Sequence, residues 1–130
     1  DPKFPFGFGL SYTDFKYSNF NLSSDNLKGN QTLTINVNIA NTGNFDGEEV
    51  VQLYIRDLFG KVVRPIKELK GFQKIFLKKG ESRNVTFKLT PDDLKFYDDA
   101  LNYDWEAGEF EIMVGTNSSD VMVKKIVWEK

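Results

Sequence analysis

Few residues in this 130-residue sequence have the types and spacing to do chemistry. Cysteine and histidine are both absent, which removes thiolate nucleophiles, disulfides, zinc centres and every Ser-His-Asp arrangement. Carboxylate chemistry remains, and "NYDWEAGEF" sets Asp104 and Glu106 two residues apart around Trp105. Two carboxylates on either side of a glycosidic bond can hydrolyse it. However, positions two apart share a face at ~7 Å on any strand, so the spacing shows no convergence on a substrate. The expectation is that Trp105 packs while Asp104 and Glu106 stay in water.

Asp92, Asp93, Asp98 and Asp99 supply the oxygens that a hard cation such as calcium needs. Their spacing matches no calcium loop, and helix capping plus turn chemistry explains them better. A serine nucleophile would need a lysine base, and no S-x-x-K motif occurs. Catalysis by this chain alone is therefore not expected, and no cofactor is implied. Four N-x-[ST] tripeptides begin at Asn21, Asn30, Asn84 and Asn117 and read as turn and strand composition. Tyr54, Tyr103 and Trp128 would form a sugar-stacking platform if exposed together, although core or interface packing is the commoner fate of such rings.

Composition narrows the partners. Hydrophobic residues make up 40% and charged residues 28%, with a net charge of -2 and a pI of about 5.2. These are ordinary globular values. Basic residues are scattered, so nucleic acid is not an expected partner, and no apolar run approaches a membrane span. The length fits one domain with one core.

The elements that must position these residues follow from periodicity. "QTLTINVNIANTG" alternates Leu33, Ile35, Val37 and Ile39 with polar residues until Thr42-Gly43 breaks it. "EEVVQLYIRD" turns Val51, Leu53 and Ile55 inward, and its other face, with Val50 and Tyr54, is more apolar than water requires. "KELKGFQKIFL" ends at the turn "KKGES", and "SRNVTFKLT" directs Val85, Phe87 and Leu89 inward. In "TPDDLKFYD", Thr90 can cap, Pro91 suits the first helical position and two aspartates favour a helix N-terminus. That predicts one short helical turn near residues 91–97. A short strand near "LNYDW" precedes "GEFEIMVG", with Phe110, Ile112 and Val114 pointing one way. In "DVMVKKIVWEK", Val121 and Val123 lose phase with Ile126 and Trp128, which predicts a bulge; a similar slip falls between Tyr17 and Phe20. Seven to eight short strands and one helical turn make an all-β, immunoglobulin-like antiparallel sandwich with Greek-key connections. Phe110 stands where such folds often place a corner tyrosine, so this corner rests on packing.

"FPFGFGLSYT", from residue 4, alternates Phe4, Phe6, Phe8 and Leu10 with Pro and Gly. An extended backbone puts all four apolar side chains on one face. Burying each ring is worth roughly 1.5 to 3 kcal/mol, so the segment must dock on something. Residues 1–11 are expected to be an interdomain connector, with the sandwich over residues 12–130. A first residue other than Met fits a piece of a longer protein.

"FPFGFGLSYTDFKYSN", "NTGNFDGEEVVQLYIRD", "RPIKELKGFQKI", "KKGESRNVTFKLTPDDLKFYD" and "GEFEIMVGTNSSD" together resemble the C-terminal fibronectin type III-like domain of family 3 glycoside hydrolases, β-glucosidases and their relatives. The motifs stand in the family's order over residues 4 to 120. Phe4 and Phe8 occupy positions where the family often has tyrosine, and Ala107 one where proline is common. The family's nucleophile and acid/base belong to an N-terminal barrel and an α/β domain. The resemblance therefore implies a non-catalytic accessory domain packed on the catalytic domains of its parent chain, a hydrolase of terminal β-linked sugars that is periplasmic or secreted. Phe4, Phe6, Phe8, Leu10, Val50, Tyr54 and Arg64, the last in the connection "DLFGKVVRPIKE", are the expected interdomain contacts. A module that tethers the enzyme to an oligo- or polysaccharide and a free-standing adhesion domain are the alternatives. A piece separated from its neighbours would be expected to self-associate.

Overall fold

Alternation in Leu33–Asn41 is complete: every second residue, Leu33 to Asn41, is buried and those between are half-exposed. A strand with this pattern must sit on a core with its other face in water. A computed structural model of the chain describes residues 13–58, 67–97, 101–117 and 119–130. Within them the strands are β1 (Phe15–Leu22), β2 (Asn26–Lys28), β3 (Leu33–Asn41), β4 (Gly47–Asp57), β5 (Glu68–Leu77), β6 (Ser82–Leu89), β7 (Phe96–Tyr97), β8 (Tyr103–Asp104), β9 (Gly108–Gly115) and β10 (Val121–Glu129). A three-stranded sheet, β1-β3-β6, faces a five-stranded sheet, β2-β10-β9-β4-β5, and β7 pairs with β8.

The core lies between the two sheets. Ile35, Val37 and Ile39 of β3 and Val85, Phe87 and Leu89 of β6 meet Val51, Leu53 and Ile55 of β4 and Phe110, Ile112 and Val114 of β9. Each such apolar side chain contributes roughly 1.5 to 3 kcal/mol on burial. This is the sandwich that the alternation predicts, with the inward residues assigned correctly on all four strands. The slip in the first strand is also present: the β1–β3 register shifts between Ser18 and Asn21, where Asn19 takes a left-handed backbone with φ of 52°.

Four details differ from expectation. Among the described residues the sandwich has eight strands in its two sheets, but β2 joins β10 in parallel, through Leu27 opposite Trp128, so the architecture is not wholly antiparallel. The helical turn is a single 3₁₀ turn, Pro91–Leu94, and Lys95 returns to extended backbone at ψ of 147°. Residues 96–97 then form β7, because pairing with β8 satisfies their backbone groups where no further helical turn does. Strand β10 carries no bulge, since its register with β9 runs unbroken from Val121 to Trp128. Met122, not Val121 or Val123, packs on the core together with Ile126 and Trp128. Lys124 occupies the intervening inward position, and its ammonium escapes over the Phe20 ring, 5.8 Å from the centroid.

Candidate functional site

The carboxylates do not converge. Asp104 is exposed; its Oδ2 accepts from Lys130 Nζ at 3.0 Å and its Oδ1 from the Trp105 backbone N–H at 2.8 Å. The Lys130 bond, then the backbone N–H, lowers its pKa below the usual carboxylate range. Trp105 is buried as expected, edge-on to Trp128 with ring centroids 6.3 Å apart. Glu106 departs from the expectation: it is half-buried, and its Oε1 is a buried atom without a hydrogen-bond partner. Asp92 pairs with Lys95 at 3.0 Å, and Asp93 Oδ2 accepts from the Thr90 N–H at 2.8 Å. Both are thereby engaged at the 3₁₀ turn; Asp98 and Asp99 lie outside the described residues. Among the described residues no group of three or more His, Cys, Asp or Glu is placed to hold a metal ion.

The three aromatics do not form a platform. Trp128 is 0% exposed, with its indole N–H donating to the Gly29 carbonyl at 3.0 Å. Tyr54 is half-buried on the five-stranded sheet, with its hydroxyl donating to Gln52 Oε1. Tyr103 is exposed in the two-stranded sheet. Asn21, Asn30, Asn84 and Asn117 are all exposed. Asn117 holds a turn, its Oδ1 accepting from the N–H groups of Ser119 at 2.8 Å and Asp120 at 3.0 Å.

Asn41, which the sequence alone does not single out, makes four side-chain hydrogen bonds. It is 2% exposed. Its Oδ1 accepts from Thr13 Oγ1 at 2.7 Å and the Gly43 N–H at 3.1 Å, and its Nδ2 donates to the carbonyls of Phe45 at 2.8 Å and Leu77 at 3.0 Å. One amide thus ties the segment approaching β1, the turn after β3 and the end of β5. Gly43 is required beside it: a Cβ there would stand 1.9 Å from Thr13 Oγ1 and 2.5 Å from the Asp14 nitrogen. The motif Asn41-Thr42-Gly43 is therefore a structural clamp, and its sequence signal was the glycine two residues after an inward asparagine. A second cross-sheet tie links Tyr17 on β1 to Glu49 on β4, the hydroxyl donating to Oε2 at 2.8 Å. Burial chiefly, then the adjacent Glu49 charge and hydrogen bond, raises the Tyr17 pKa, and burial also raises that of Glu49.

The two outer faces differ in chemistry. On the three-stranded sheet the two middle cross-strand rows, Ser18–Asn38–Asn84 and Asn21–Asn36–Thr86, are neutral and polar, with Thr86 Oγ1 donating to Asn36 Oδ1 at 2.6 Å, and the flanking rows carry Lys16 and Lys88. On the five-stranded sheet one row is Leu69–Tyr54–Met113–Val123. Val50, 36% exposed, shares that outer face, one alternation beyond Gln52. Of the expected contact residues, Val50 and Tyr54 thus lie together; Phe4, Phe6, Phe8, Leu10 and Arg64 lie outside the described residues.

A sandwich of three and five strands, closed by an Asn-Thr-Gly clamp and without convergent catalytic groups among the described residues, defines a fibronectin type III-like module. The family model for the fibronectin type III-like domain matches residues 49–118, and the chain belongs to that family. Its relatives narrow the kind. It is 48% identical over 119 residues to a putative β-xylosidase of Formosa agariphila, covering 92% of this chain and 16% of that protein. It is 42% identical over 120 residues to a periplasmic β-glucosidase of Salmonella typhimurium, covering 92% and 16%. A β-glucosidase from Listeria innocua, solved with gluconolactone, superposes with a TM-score of 0.86 at 37% identity over 100% of this chain and 18% of that one. The chain thus spans about a sixth of the length of these proteins. The resemblance to the fibronectin type III-like domain of family 3 glycoside hydrolases is borne out, and the chain corresponds to that portion of such an enzyme, not to the whole. No helix among the described residues is long and apolar enough to cross a membrane.

Proposed function

We propose that the chain is a non-catalytic accessory domain of a family 3 glycoside hydrolase, one that removes terminal β-linked sugars, and that it stabilises the catalytic portion by packing on it. The observation that carries this reading is the match of the full chain, at a TM-score of 0.86, to 18% of a much longer β-glucosidase. The engaged state of Asp92, Asp93 and Asp104 supports it, because carboxylates tied to turns and lysines are not poised for proton transfer. So does the spread of its relatives over glucosidases and xylosidases: a domain compatible with both sugars is not the one that chooses between them.

In this reading residues 1–11 connect the sandwich, residues 12–130, to the rest of the polypeptide. Phe4, Phe6, Phe8, Leu10, Val50, Tyr54 and Arg64 then contribute to the interdomain contact. The enzyme works in the periplasm or outside the cell. A polysaccharide-tethering module is less well supported, because Trp128 is interior and Tyr54 and Tyr103 belong to different sheets. Deleting the domain from the polypeptide that carries it tests the proposal. The expected result is a lower thermal midpoint or loss of soluble protein; unchanged stability and activity would overturn it.

A further inference from the structure

We propose that the outer face of the five-stranded sheet, centred on the row Leu69–Tyr54–Met113–Val123, is the surface on which the larger portion of the same polypeptide seats. The inference rests on the accessory reading and adds which face is covered. Residues directly opposite in a sheet share a face, so Leu69 opposite Tyr54, Tyr54 opposite Met113, and Met113 opposite Val123 form one uncharged row across four strands. The next row brings Phe72 opposite Gln52.

Leu69, Phe72 and Val123 are 52%, 64% and 48% exposed, whereas Met113 is 1% exposed although it points away from the core cluster. Met113 thus lies sealed between Tyr54 and the exposed Val123, with the exposed Leu69 beyond Tyr54, and a buried apolar centre in a row that ends in exposed apolar side chains suits a binding surface. On the other side of Met113, Arg56 and Glu111 pair at 3.3 Å, opposite one another in the ladder. Lys125 stands opposite Glu111 and pairs with Glu109 at 3.9 Å, and Lys74 beside Val50 pairs with Glu48 at 3.8 Å, so the charges flanking the row are paired and the row itself calls for an apolar partner surface. The opposite face of the sandwich, with its amide and hydroxyl rows, already suits water.

The occupant follows from length. In relatives this fold is 16–18% of the chain, so a partner about five times larger is attached to it. Attachment gives that partner an effective concentration of about millimolar or more, above that of a free second copy. Among the described residues β5 is also the last strand of its sheet, so the patch runs to a sheet edge that a neighbour can cover.

The absence of cysteine from this chain makes thiol labelling a clean test. Leu69→Cys and Val123→Cys, with Asn84→Cys on the polar face as reference, are made in the whole polypeptide encoded with this chain. Maleimide labelling is followed at the level of the peptide, native and in urea. Both apolar-face thiols are expected to label about tenfold or more slowly than Asn84→Cys when native, and equally fast once unfolded. Native labelling at the reference rate overturns the proposal. So does protection that vanishes on dilution, which identifies a second copy, or that requires added glucan, which identifies a polymer. Should a cysteine variant not fold, Leu69→Lys is expected to lower the thermal midpoint of the whole polypeptide and Asn84→Lys to leave it unchanged; equal effects overturn the proposal. If Leu69 and Val123 prove open while deleting the domain still destabilises the enzyme, this face is wrong and the accessory reading stands. If the gene encodes no hydrolase portion, both fall.

Discussion

Replacing Asn41 with alanine removes four side-chain hydrogen bonds at once, to Thr13, Gly43, Phe45 and Leu77. A typical bond contributes about 0.5 to 1.5 kcal/mol net, and a buried group left without its partner costs about 1 to 3 kcal/mol. The Leu77 carbonyl bond is buried, whereas the contacts with Thr13, Gly43 and Phe45 are part-buried, so water can partly replace the latter. The expected loss is therefore about 3 to 5 kcal/mol, a large fraction of the stability of one domain. For a chain of this length that lowers the thermal midpoint by roughly 10 to 20 °C. Urea unfolding of the two proteins, followed by tryptophan fluorescence of the buried Trp105 and Trp128, gives the difference directly. A loss within about 0.5 kcal/mol, the range of an ordinary surface substitution, would refute the clamp.

Gly43→Ala is expected to destabilise more than Gly29→Ala, by urea midpoint. The first forces a Cβ into Thr13 and the Asp14 backbone, whereas the second meets nothing within 4 Å and suffers only its positive φ of 60°. Glu49 has a raised folded-state pKa, so its contribution favours folding below its unfolded value and is lost as the pH rises through the folded value. Glu49→Gln, which keeps an acceptor for Tyr17, should accordingly flatten the stability-pH profile through the acidic range; an unchanged profile would show that Glu49 is not the group responsible. Asp104→Asn and Glu106→Gln, made in the whole enzyme, are expected to leave kcat/KM for aryl β-glucosides and β-xylosides unchanged. A loss of a hundredfold or so, the size of a general acid-base contribution, would reinstate that pair as catalytic.

Most of the sandwich was legible because strands half in water write their burial into the sequence with period two. Leu33 to Ile39, Val51 to Ile55 and Phe110 to Val114 needed nothing else. Legibility failed where a side chain has an apolar stem and a charged end. Lys124 occupies an inward position of β10, and the pattern therefore looked broken where the backbone is regular. It failed again where pairing is non-local: the parallel union of Leu27 with Trp128 joins residues about a hundred apart, beyond any periodicity. Asn41 was hidden because a buried polar residue is explained only by its partners, and Leu77 is 36 residues away. Met113 shows the same limit in reverse, since one buried methionine facing outward looks in sequence like strand composition.

As proposed, this domain stabilises the rest of its polypeptide without taking part in the chemistry. The most direct measurement heats the whole enzyme and its Asn41→Ala variant, follows loss of glycosidase activity, and compares kcat/KM at a temperature where both are folded. A lower inactivation temperature with unaltered kcat/KM is predicted. An unchanged inactivation temperature, despite a domain loosened by several kcal/mol, would contradict the claim.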